Sequence, residues 1–186
     1  MYPQKSRLKL VCLLSLMLLI VPQVSSVRAD QTCTKRVFNH YCLGWDIRQL
    51  QRKRPTYIHE QSDGERFALI YTEGREKIYV MAYQGLIYKV LRQYQPATLL
   101  GYEDLRDDLE KRHGSAEDLS RFPEHARGLA SKIGAIRRGE GKAMLVWQPD
   151  EAWRVELSWT REMGLSLAYI ANQMDRLQRK AREKGY

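Results

Sequence analysis

Trp153-Arg-Val-Glu-Leu-Ser-Trp159 sets a large apolar side chain at every second residue and a polar one between. Side chains alternate between the faces of a strand, so Trp153, Val155, Leu157 and Trp159 share one face and Arg154, Glu156 and Ser158 the other. This alternation predicts an antiparallel sheet with one covered and one solvated face, because parallel sheets are covered on both.

The same texture extends to either side. Ala143–Trp147 is an apolar run, Gln148-Pro149-Asp150-Glu151 is turn chemistry, and Leu165–Ile170 is a further strand. An earlier stretch repeats the layout: Phe67–Thr72, Lys77–Tyr83 and Leu86–Leu91 are short runs rich in Ile, Val and Tyr, separated by Glu73-Gly74-Arg75-Glu76 and Gln84-Gly85. Such runs joined by brief Gly-containing breaks predict hairpins, here a three-stranded meander in each half.

Each meander leads into a helix. The first begins near Tyr102, carries Glu103 and Asp104 early and Lys111, Arg112 and His113 late, and stops at Gly114, an arrangement that complements the helix dipole and supplies a carboxyl-terminal cap. The second runs from Ala171 to Lys184, with Ile170, Met174, Leu177 and Ala181 on one stripe. A shorter helix is expected around Glu124 to Ile136, after Pro123.

The predicted architecture is therefore α+β and two-layered. It has an antiparallel sheet of about six strands with helices on one face, from a duplicated βββα layout over 67–114 and 143–186 offset by about 75 residues. Residues 30–66 read as an amino-terminal disulfide loop and linker ahead of an α+β domain over 67–186.

Residues 1–29 have the pattern of a cleaved export signal. Lys5, Arg7 and Lys9 precede an apolar run from Leu10 to Val21, and Val27-Arg28-Ala29 offers a cut after Ala29. The run is well short of the roughly 20 apolar residues a membrane-crossing helix needs. The chain of 186 residues has a formal net charge of +9. Cleavage removes four basic and no acidic residues, leaving 27 basic against 22 acidic side chains and a net charge of +5. That excess is too modest to argue for nucleic acid.

Cys33 and Cys42 remain after cleavage, and an oxidising compartment, periplasmic or extracellular, predicts a disulfide between them. A loop of about ten residues corresponds to roughly 2.7 kcal/mol in the chain-entropy account. A metal site from Cys33, His40, Cys42 and His59 matches no standard zinc spacing, so neither metal nor cofactor is expected.

Reactive constellations are equally hard to assemble. No Gly-x-Ser-x-Gly occurs, and His40, His59, His113 and His125 are scattered. Glu103, Asp104, Asp107, Asp108 and Glu110 crowd one helix among Lys and Arg, as on a solvated face. Gly134-Ala-Ile-Arg-Arg-Gly139-Glu-Gly141-Lys142 departs from a phosphate loop because Glu140 replaces the lysine and the segment enters a strand. Arg137, Arg138 and Lys142 could still hold an anion beside exposed N–H groups.

Tyr79 and Tyr88, on neighbouring strands, are candidates for a recognition surface, since exposed aromatics offer rigid contact area. The basic carboxyl-terminal helix, with Arg176, Arg179, Lys180, Arg182 and Lys184, could meet a membrane surface. The expected function is a non-enzymatic exported protein, such as an inhibitor or assembly factor, that binds another protein or an envelope component. An envelope hydrolase and an anion or lipid-headgroup binder are the alternatives.

Overall fold

The computed structural model describes residues 33–184; the expected signal over 1–29 lies outside the described residues. The elements are β1 (Lys35–Val37), β2 (Tyr41–Leu43), α1 (Ile47–Lys53), β3 (His59–Asp63), β4 (Arg66–Glu73), β5 (Glu76–Tyr83), β6 (Leu86–Tyr94) and α2 (Leu99–His113). There follow β7 (Glu117–Asp118), α3 (Leu129–Arg138), β8 (Ala143–Trp147), β9 (Trp153–Thr160), β10 (Gly164–Ala171) and α4 (Asn172–Glu183).

The fold is α+β, but the sheet has eight antiparallel strands where about six were expected, in the order β3-β4-β5-β6-β10-β9-β8-β7, with β1 and β2 forming a separate two-stranded sheet. The two additional strands are the edges. β3 comes from the presumed linker, and its five side chains are all exposed, so it joins through backbone pairing with β4 and carries no apolar alternation. β7 is only Glu117–Asp118, both exposed, paired with Val146 and Leu145.

The two halves meet where the last strand of each pairs, with Leu91 opposite Ala168 and Val90 opposite Tyr169. Hairpin turns set the register within each half. Gln84 and Gly85 both take positive φ, 50° and 81°, as a two-residue turn matched to strand twist requires. Gln84 lacks the freedom of glycine there. Its amide donates to the Glu65 carbonyl oxygen at 2.9 Å and its side chain donates to the Glu65 carboxylate at 3.0 Å.

One face of the sheet is closed. Phe67, Leu69, Tyr71, Ile78, Val80, Ile87, Val90, Leu165, Val155 and Leu157 are buried there in a single core. The β1–β2 hairpin and α1 cover its first half, through Tyr41 against Tyr71 and the buried Ile47 and Leu50, and the hairpin reaches β10 of the second half through Phe38 edge-on to Tyr169. α2 and α3 cover the second half, with Tyr102 beside Trp159 and Leu109 and Ile136 in the core. Val37, Tyr41, Leu43, Ile47 and Leu50, within the expected loop and linker, thus belong to the same core as the strands. α2 begins one turn earlier than the apolar spacing indicates, because Thr98 Oγ1 accepts from the Gly101 amide at 3.1 Å and caps it.

The other face, which carries Arg154, Glu156 and Ser158, was expected to be solvated with every helix opposite. α4 overturns the one-faced arrangement. Its buried Asn172 and Asp175 both bond to Arg154, so it lies across the second face, and helices flank the sheet on both sides. The reason is an ionic anchor beside the apolar stripe, of which Ile170 is buried and Met174 packs against the core. Leu177, assigned to that stripe, is 43% exposed.

Candidate binding surface

The second face is built from alternate residues of all eight strands, and cross-strand register fixes which side chains adjoin. Ile70, Tyr79, Leu91, Ala168, Glu156 and Val146 form one row across it. Leu91, Ala168 and Ile170 make a small second core with Tyr79 and Met163 packed against it. Beside this cluster, on β4 and β5, Ala68, Ile70 and Met81 are likewise half-buried.

A chain of charges runs under α4. Lys89 Nζ lies 3.8 Å from Glu156 Oε2, and Glu156 Oε1 accepts from Arg154 Nε at 2.8 Å. Arg154 Nη2 donates to Asp175 Oδ2 at 2.8 Å, and Arg179 Nη2 approaches the same oxygen at 2.9 Å. Arg154 Nη1 also donates to Asn172 Oδ1 at 3.0 Å. Burial pulls the Arg154 guanidinium toward neutrality, but its bonds to Asp175 and Glu156 outweigh that and hold its pKa above the ordinary arginine value. It therefore stays charged and fixes the first turn of α4 to the sheet.

Between α4 and strands β7–β9 this face opens into a groove of about 330 Å³. Leu119, Met144 and Val146 supply apolar lining, Arg176 and Arg179 reach in from α4, and Glu117 faces them from the edge. Arg176 has no ion-pair or hydrogen-bond partner among the described residues.

The residues singled out from sequence are distributed unevenly around this surface. Tyr79 lies on it, its hydroxyl donating to Gln93 Oε1 at 3.2 Å. Tyr88 does not sit opposite Tyr79, whose partner is Leu91; it is the extra residue of a bulge, since Met81 pairs with Lys89 and Ala82 with Ile87. Burial, reinforced by the negative charge of Asp175, raises the Tyr88 hydroxyl pKa. Tyr88 is thus partly enclosed beside α4.

Arg137, Arg138 and Lys142 lie elsewhere, around the end of α3. The amides of Gly139, Glu140, Gly141 and Lys142 donate to the carbonyls of Ile136, Ala135, Ala135 and Arg121. The N–H groups invoked for anion binding are therefore consumed internally. Arg138 is also engaged, at 2.7 Å from Glu140, whose carboxyl pKa that bond lowers.

Cys33 and Cys42 form the expected disulfide across the β1–β2 hairpin, with Cα atoms 5.5 Å apart, so their sulfurs are not free to ligate a metal. Among the described residues, no three His, Cys, Asp or Glu side chains converge as metal ligands, and no helix is long and apolar enough to cross a membrane.

Acids and bases elsewhere are committed to packing. Glu73 receives the Tyr41 hydroxyl at 3.0 Å, Arg54 at 3.3 Å and Arg92 at 2.8 Å, so its oxygens hold α1 and the β1–β2 hairpin against the sheet. His113 packs edge-on to Trp153; burial first, then Lys35 and Arg112, lowers its pKa. On α2, Asp107 pairs with Arg106 and Asp108 with Arg112, all on the solvated side.

The sequence reading missed the Arg154–Asp175 anchor and the groove beside it. The available signal was a polar strand face on β9 followed by Asn172 and Asp175 at the opening of the final helix.

No protein-family model matches the chain, and no curated protein matches it in sequence. Among solved structures it is similar to a cysteine-rich secretory protein from Staphylococcus aureus, at 9% identity and a TM-score of 0.43. The similarity covers 76% of this chain and 48% of that one, so the chain spans about half of that protein's length. A likeness at this level carries neither fold nor function across.

Proposed function

We propose that the chain is an exported, non-enzymatic binding protein that holds another protein or an envelope component on the second face of its sheet. The observation that carries the reading is the unequal treatment of the two faces. The first is closed by the hairpin and α1–α3, whereas the second keeps Ile70, Tyr79 and Met81 half-buried on one flank of α4 and an open groove on the other. Apolar and aromatic side chains left beside charged ones suit recognition of a second surface.

Export is supported by the charged and apolar pattern of residues 1–29 together with the Cys33–Cys42 disulfide. A binding role in preference to hydrolysis is supported by the commitment of Glu73, Glu156 and Asp175 to ion pairs with Arg54, Arg92, Arg154 and Arg179, which hold α1 and α4 in place.

The test is capture on the immobilised mature chain, beginning at Asp30, from an envelope extract. Tyr79→Ala combined with Ile70→Thr should abolish retention of the captured species while the melting transition stays cooperative. Undiminished retention would place recognition elsewhere, and turnover of an envelope polymer by the purified chain would replace the binding reading with the hydrolase.

A further inference from the structure

We infer that the groove between α4 and β7–β9 receives a carboxylate side chain from an extended, partly apolar segment of a partner protein. This rests on the binding reading above and names the chemistry one part of that surface selects.

Charge is the first argument. The network Lys89–Glu156–Arg154–Asp175–Arg179 joins three cations through two anions, and Arg176 adds at the groove a guanidinium without a partner among the described residues. Arg179 spends one contact on Asp175, leaving further N–H donors on its planar fork. Two guanidinium groups one helical turn apart on α4 present donors with the geometry that a carboxylate accepts.

Shape and local charge then narrow the ligand. The site is concave, and a cavity of about 330 Å³ matches one or two side chains but not a bilayer plane. Leu119, 40% exposed at the wall, and Met144 on the floor give an apolar neighbour of the acidic residue something to cover. Glu117 and Glu156 border the same space and would repel a phosphate dianion more than a singly charged carboxylate.

The experiment titrates the disulfide-intact mature chain with a capped peptide alternating leucine and aspartate, and with the same peptide carrying asparagine. The aspartate peptide should bind about tenfold tighter or better, in keeping with a charge-assisted forked contact. Arg176→Gln should erase that preference, Arg176→Lys should restore part of it, and Arg52→Gln, the same charge loss on α1, should leave it intact.

Equal affinity for both peptides, a preference that survives Arg176→Gln, or loss of equal size in Arg52→Gln would each overturn the inference. So would binding confined to phosphatidylglycerol vesicles or competition by inorganic phosphate stronger than by acetate. Capture that still depends on Tyr79 while the peptide preference is absent would remove this inference and leave the binding reading standing.

Discussion

Glu73 and Glu76 face each other across the turn of the β4–β5 hairpin, and Arg92 from β6 reaches both, 2.8 Å from one carboxylate and 3.4 Å from the other. Like charges directly opposite on adjacent strands are destabilising unless something neutralises them. Here the neutralising guanidinium also stacks 4.2 Å over the Phe38 ring, so it ties the amino-terminal hairpin to the sheet.

Arg92→Gln should therefore cost about 2 kcal/mol, the scale of hydrogen bonds to charged groups. The loss should appear as a lower urea midpoint. Combining it with Glu76→Gln should recover part of that loss, because one of the two opposed charges is then gone. A double variant no better than the single one would argue against repulsion as the cause.

Leu157 and Leu177 separate the two kinds of helix docking. Leu157 is fully buried on the closed face, and Leu157→Ala should destabilise by about 2–5 kcal/mol. Leu177 is 43% exposed, and Leu177→Ala should stay within about 0.5 kcal/mol. Equilibrium unfolding of both variants measures the contrast, and a large loss at Leu177 would restore an apolar stripe as the anchor of α4.

Replacing both Cys33 and Cys42 with serine removes the link across the β1–β2 hairpin. The expected loss is about 2.7 kcal/mol from the restored freedom of the unfolded loop. Guanidinium unfolding of the oxidised chain against the serine variant checks it.

Alkaline stability should follow the buried tyrosines. Burial pushes the Tyr71 hydroxyl up to about 12, against the pull of Arg54, and raises Tyr41 further, with Glu73 adding to it. The unfolded chain surrenders these protons nearer pH 10, so their stabilising contribution is whole below that value and is lost as pH rises through 10 toward 12. Tyrosinate absorbance should rise together with unfolding, and Tyr71→Phe should flatten the pH dependence. Ionisation of the full tyrosine complement at pH 10 with the fold intact would contradict this.

The six central strands were legible because each carries apolar residues facing a core. β9 is the clearest case, buried at every second residue from Trp153 to Trp159. The edges were not legible, since β3 and β7 offer only exposed polar side chains and owe their place to backbone pairing. The site was half legible. Tyr79 lies on the face that carries α4, but the position of α4 depends on Asp175 meeting Arg154, and neither residue stands out from the ordinary polar population of a strand and a helix. Tyr79 and Tyr88 do lie on neighbouring strands, but the bulge that sets Tyr88 out of register carries no residue pattern that announces it.

Among the described residues β10 comes last of the strands in chain order, yet it occupies the middle of the finished sheet, between β6 and β9. Until β10 has emerged, those two strands each present a raw row of amide and carbonyl groups, and the halves they belong to have no ladder joining them. A product truncated before Gly164 would consequently be two adhesive fragments on one tether, a natural target for chaperones and proteases.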